Sequence, residues 1–97
     1  MVPRPDHVVH QIMPDITDQA RRTIHGKVKV NVLASVDPSG KVSAAKVESE
    51  NSRYFANLTL QAARKWEFAP SETASEWLLR FEFTTRSTDV HPAEVSR

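Results

Sequence analysis

Lys27-Val28-Lys29-Val30-Asn31-Val32-Leu33-Ala34-Ser35-Val36-Asp37-Pro38-Ser39-Gly40 is the stretch on which the fold turns. Val28, Val30, Val32, Ala34 and Val36 fall on one face of an extended chain, and Lys27, Lys29, Asn31 and Ser35 on the other. A period of two carried by β-branched residues marks a strand with one buried face. The tetrapeptide that closes the stretch is a turn. Pro38 presets φ for the second turn position, Asp37 can accept hydrogen bonds from the N–H groups that follow, and Gly40 can take a positive φ. A second strand-like run occupies residues 41–49, so the stretch predicts a β-hairpin with a type I turn and a glycine bulge. In that second run Ala45 and Val47 share a face while Val42 is out of phase, which a bulge or an end effect near Ser43-Ala44 would repair.

Working outward, residues 15–25 read as a short helix. Asp15 and Thr17 are both capable N-caps, Ile16, Ala20 and Ile24 recur every four residues, and Gly26 is the stop signal. On the other side, Glu50-Asn51-Ser52 is a polar break that offers Asn51 or Ser52 as a cap. Residues 53–66 then carry the main helix, with Phe55, Thr59, Ala62, Ala63 and Trp66 on one stripe and Leu58 at its margin. Pro70 forbids its continuation. Residues 76–85 alternate again, with Trp77, Leu79, Phe81 and Phe83 on one face and Leu78, Arg80, Glu82 and Thr84 on the other. Trp66, Phe68, Trp77, Phe81 and Phe83 are the expected aromatic core.

Three strands with one apolar face and two amphipathic helices predict an α+β fold: a two-layer sandwich of a three-stranded antiparallel sheet packed by two helices, in the order helix-strand-strand-helix-strand. This domain covers residues 15–85. Residues 1–14 hold three of the six prolines and read as an extended leader, and residues 86–97 read as a polar, flexible tail.

Length and composition exclude several classes. Ninety-seven residues make one domain, and 39% hydrophobic with 26% charged residues is ordinary globular usage rather than that of a disordered chain. Strictly apolar runs such as Val32-Leu33-Ala34 are far short of a membrane span, and the N-terminus has no apolar core of a signal peptide. Cysteine is absent, which removes disulfides, thiolate metal sites and cysteine nucleophiles. A net charge of +1 does not mark a nucleic-acid binder.

No constellation points to catalysis. His7 and His10 have H-x-x-H spacing without a firm helix or an accompanying carboxylate, and read as a solvated leader. His25 sits before Gly26 at a helix end, where it suits the dipole, and His91 lies in the tail. The carboxylates Asp15, Asp18, Glu48 and Glu50 form no acid–base pair by local spacing, and neither a G-x-S-x-G elbow nor a phosphate loop occurs. The expectation is a protein that is not an enzyme and takes no metal or cofactor. The basic residues Arg21-Arg22, Lys27-Lys29 and Arg64-Lys65 read as a solvated surface, because an RNA-binding sheet exposes aromatics that here lie on the covered face.

Four pieces, in this order, carry a resemblance. They are Ala20-Arg21-Arg22 leading to Gly26-Lys27-Val28-Lys29-Val30; Val36-Asp37-Pro38-Ser39-Gly40-Lys41-Val42; Leu60-Gln61-Ala62-Ala63-Arg64-Lys65-Trp66-Glu67-Phe68-Ala69-Pro70; and Leu79-Arg80-Phe81-Glu82-Phe83. Residues 14–84 thereby resemble the TonB C-terminal domain family. Met13-Pro14 stands where the family often has Tyr-Pro, and the stretch from Pro14 to Gly26 is slightly longer than usual.

The resemblance implies periplasmic work in a Gram-negative envelope, in a full-length protein anchored to the inner membrane. It implies an ExbB–ExbD-type motor acting through an anchor and proline-rich spacer that precede the domain. It also implies that the domain grips the Ton box of a TonB-dependent outer-membrane transporter by β-augmentation on its third strand. The candidate partner-binding residues are then Leu78, Leu79, Arg80, Phe81, Glu82, Phe83 and Thr84, an expected sheet edge guarded by the charges of Arg80 and Glu82. A homodimer is a further expectation. The alternatives are a structural or dimerisation domain of the same fold in another envelope system, and a small RNA-binding α+β domain.

Overall fold

The computed structural model describes residues 8–95. Along the chain these form β1 (Val8–His10), α1 (Asp18–Arg22), β2 (Val28–Val36), β3 (Val42–Glu50), α2 (Arg53–Ala63), β4 (Glu67–Phe68), β5 (Ser75–Phe83) and β6 (Thr88–Glu94). The main sheet is antiparallel, in the order β3-β2-β5-β6, and β1 pairs with β4 in a separate two-stranded ribbon.

The β2–β3 hairpin follows from its turn residues. Asp37 Oδ1 accepts from the N–H groups of Ser39 (3.0 Å) and Lys41 (3.1 Å) and from the Ser39 hydroxyl (2.6 Å). The Gly40 N–H donates to the Asp37 carbonyl at 2.9 Å, and Gly40 has φ of 95°. A Cβ at Gly40 would collide with the Phe68 carbonyl oxygen, because the Phe68 N–H donates to the Gly40 carbonyl at 2.7 Å. The glycine thus serves the turn and also the close approach of β4. The expected bulge is present: Ala44 faces Ser35 and Val42 faces Val36, which leaves Ser43 as the extra residue. A second irregularity leaves Glu48 extra between Ser49, which faces Asn31, and Val47, which faces Val32.

The core lies between the sheet and α2, which packs across β2 and β3. Val30, Val32, Ala34 and Val36 from β2 meet Trp77, Leu79, Phe81 and Phe83 from β5, all buried. Helix α2 contributes Phe55, Ala56, Thr59, Ala62 and Ala63. Its small residues let it sit close to the strands, and the buried hydroxyl of Thr59 donates to the Phe55 carbonyl at 2.7 Å. Trp66 is 1% exposed, stands beside the rings of Phe68 and Phe81, and donates its indole N–H to the Ile12 carbonyl at 2.8 Å. That bond ties the N-terminal segment to the core. Burying each such large side chain contributes about 1.5–3 kcal/mol.

Several expectations need correction. The sheet has four strands rather than three, because residues 88–94 of the supposed polar tail form β6 on the outer side of β5. Helix α1 is confined to Asp18–Arg22: Thr17, not Asp15, is the cap, its Oγ1 accepting from the Ala20 N–H at 3.1 Å. Helix α2 stops at Ala63, so Trp66 reaches the core from the connection beyond it. Ser52 caps α2, while the Asn51 side chain accepts from the Lys29 N–H at 2.9 Å and secures the start of β2. The strand read over 76–85 is Ser75–Phe83, with Thr84 in the connection that follows. Of the extended leader, Val8–His10 pair with β4 as β1, and Pro14 is buried. His7 and residues 1–6 lie outside the described residues, as do residues 96–97.

Candidate functional site

β5 is the strand that the sequence marks for partner binding, and each of its faces and sides has a distinct job. Trp77, Leu79, Phe81 and Phe83 send their side chains into the core, while Leu78, Arg80 and Glu82 point to the open face of the sheet. Backbone groups alternate as well. The Val95 N–H donates to the Glu76 carbonyl at 2.8 Å, and the Thr84 N–H donates to the Ser87 carbonyl at 2.9 Å. Both bonds engage even-numbered residues of the β5 side, and the register between them is unbroken. Opposed residues of an antiparallel pair alternate between hydrogen-bonded and non-bonded positions, so Leu78, Arg80 and Glu82 turn their N–H and C=O groups toward β6. The odd-numbered residues turn theirs toward β2.

The expected open edge is therefore covered. Leu78 to Phe83 are paired on both sides, with β2 inside and β6 outside. The cover is weaker at the connection that leads into it than at its proline. Pro92 stands opposite Leu79, a non-bonded position where the missing N–H costs no ladder bond to β5. The connection Thr84-Thr85-Arg86-Ser87 has no glycine, and no non-glycine residue among those described has a positive φ. Such a short connection lacks the primed turn whose twist matches that of the flanking strands.

Arg21 holds this connection from α1. Its guanidinium donates to the carbonyls of Thr84 (3.2 Å) and Ser87 (2.9 Å) and to the Thr88 hydroxyl. Sequence reading placed Arg21 among solvated basic residues and assigned no partner to it. No local signal could have shown the link, since its acceptors lie more than 60 residues away. β6 was obscured by its histidine, proline and acidic residues, although Thr88, Val90 and Pro92 do alternate with Asp89, His91 and Ala93.

Among the described residues, no three His, Cys, Asp or Glu side chains come together at metal-binding distance. Asp37 has its carboxyl held below the usual carboxylate range, first by the Ser39 hydroxyl and then by the backbone N–H of Lys41, which is turn chemistry. No helix among the described residues is long and apolar enough to cross a membrane.

A family model described as the Gram-negative bacterial TonB protein C-terminal region matches residues 17–85, well over half of the chain. The chain belongs to the TonB C-terminal family. Neither curated proteins nor solved structures give a match. The TonB C-terminal family is transport-associated and non-enzymatic, and its members act in the periplasm in energy transduction to outer-membrane transporters. The TonB match ends at Thr85, ahead of β6.

Proposed function

We propose that this TonB-like domain grips the Ton box of an outer-membrane transporter on β5, through the backbone groups of Leu78, Arg80 and Glu82 and of the adjoining Thr84. The observation that carries this reading is the division of labour in β5. Its odd-numbered residues are committed to the core and to β2, while Leu78, Arg80 and Glu82 turn their backbone groups toward β6, a strand beyond the family match. Backbone pairing gives affinity with little demand on sequence, which suits a short extended segment shared by many partners. On this reading β6 occupies the groove until the partner strand takes its place. Leu79, Phe81 and Phe83 contribute by holding β5 rigid rather than by touching the partner. Force from an ExbB–ExbD-type motor would reach the domain through chain that precedes it, with inner-membrane anchoring there.

Amide spectra test the reading. A Ton-box peptide should shift the Leu78, Arg80, Glu82 and Thr84 amides and bring residues 88–94 toward the spectrum of an unpaired chain. No shift at millimolar peptide would overturn it. Proline substitution separates the two sides of the strand. Arg80→Pro should retain cooperative unfolding and lose peptide binding, whereas Leu79→Pro, which removes a donor to β2, should not fold. The freed side of β5 could also receive β6 from a second copy, and a homodimer formed this way would show as concentration-dependent mass.

A further inference from the structure

We infer that Arg80 and Glu82 select the partner strand by charge: the segment that replaces β6 carries a cation opposite Glu82 and a carboxylate opposite Arg80. This rests on the reading of β5 as the gripping strand. On the open face of the sheet, Glu82 lies between Lys29 of β2 and Asp89 of β6, and Arg80 lies between Asn31 and His91. β6 thus sets a carboxylate directly against a carboxylate and offers Arg80 no negative charge from the residue it faces. The ion pairs among the described residues, Lys41–Glu67 and Lys46–Glu48, involve neither Arg80 nor Glu82.

Like charges directly opposite one another in a sheet are destabilising and opposite charges stabilising, each by up to about fivefold in an equilibrium constant. β6 is therefore a mismatched occupant opposite Glu82 and offers no ion pair opposite Arg80, at two successive positions of the same face. A shallow hollow of about 400 Å³ on that face, lined in part by Lys29, Arg80, Glu82 and His91, leaves room for long side chains. Backbone bonding does not discriminate between sequences, so this row of side chains supplies what selectivity the grip has. In the antiparallel direction of β6 the favoured partner reads cation, any residue, carboxylate, with the position facing Leu79 free to be proline, as it is in Pro92.

The test compares two composition-matched changes in the full chain, Asp89→Lys with His91→Glu against Asp89→Glu with His91→Lys. The first pair should slow hydrogen exchange at the Leu78, Arg80 and Glu82 amides about tenfold relative to the second, with the difference collapsing in 1 M salt. Peptides of residues 87–95 carrying the same two pairs of changes, added to the unaltered chain, should differ in affinity for β5 in the same direction. The double variant Arg80→Glu with Glu82→Arg should invert the preference. Equal binding of both peptides overturns charge selection and leaves the gripping reading standing. Absence of binding by either peptide or by a Ton-box peptide overturns the gripping reading, and this inference with it.

Discussion

The two hairpins of the main sheet, β2–β3 and β5–β6, are built to different standards. The first closes on Asp37-Pro38-Ser39-Gly40, whose aspartate accepts three hydrogen bonds within the turn and whose glycine takes the required positive φ. The second closes on Thr84-Thr85-Arg86-Ser87, with no glycine; the Thr84 hydroxyl accepts from the N–H groups of Arg86 and Ser87, and Arg21 fastens the turn from outside. The first is anchored to the core by α2 and β4, through which it belongs to the body of the domain. The second adds a strand with a proline and a like-charge pair. The difference teaches that the first hairpin is locked by its own turn and by the approach of β4, whereas β6 lies at the margin of the sheet and relies on its ladder to β5 and on the Arg21 clasp. Foldons of low local stability are where binding regions are commonly drawn from.

Substitutions in the two regions should separate these roles. The largest effect is expected from Trp66→Ala, which empties a site under both hairpins and removes the bond to Ile12. It should cost about 3–5 kcal/mol in denaturant unfolding, and an unchanged midpoint would show that the body does not depend on this core. Gly40→Val should follow at about 3 kcal/mol, because positive φ and the approach of Phe68 both oppose a β-branched side chain. Its loss should be global, with every strand exchanging faster.

Arg21→Ala should behave differently. Loss of the charged donor to the 84–87 connection should cost about 1–2 kcal/mol, and the loss should be local. Exchange should accelerate at Leu78, Arg80 and Glu82 while the odd-numbered amides of β5, bonded to β2, stay protected. If both sets accelerate together, β6 is part of the body and the contrast between the hairpins fails.

The smallest effects belong to the first turn. Ser39→Ala removes one hydrogen bond to Asp37 and should cost under about 1 kcal/mol, well below Gly40→Val. Asp37 has its folded-state pKa lowered, so its contribution is complete at neutral pH and is lost as pH falls through that lowered value. Acid should therefore loosen the first hairpin, and Asp37→Asn should remove that pH dependence from the hairpin's exchange rates.

The body was legible in the sequence because its signals are local. Alternating valines, a D-P-S-G turn and an apolar helix stripe each specify their element within a few residues, and the phase of Val42 marked an irregularity near Ser43-Ala44 that is a bulge at Ser43. The cover on β5 was not legible, for two physical reasons. Thr88 to Glu94 has the composition of a solvated tail, and its pairing draws on a strand already identified rather than on its own propensity. Arg21 reaches its acceptors only after the chain has folded. The strand expected over residues 76–85 is present as Ser75–Phe83, but its covered state was not legible, since an edge and a covered strand share one alternating pattern. The direction of its backbone groups likewise required the bonds at Glu76 and Thr84.

Pro92 bears on solubility. With β6 in place, its outward backbone row is that of Thr88, Val90, Pro92 and Glu94, and the proline removes a donor from the middle of it. A sheet that ends in such a row is a poor template for another chain, so copies held close together would not add end to end into fibres. The same proline leaves the union with β5 intact, because its missing N–H faces away from that strand. One residue thus lets β6 cover β5 without presenting a sticky margin to its neighbours.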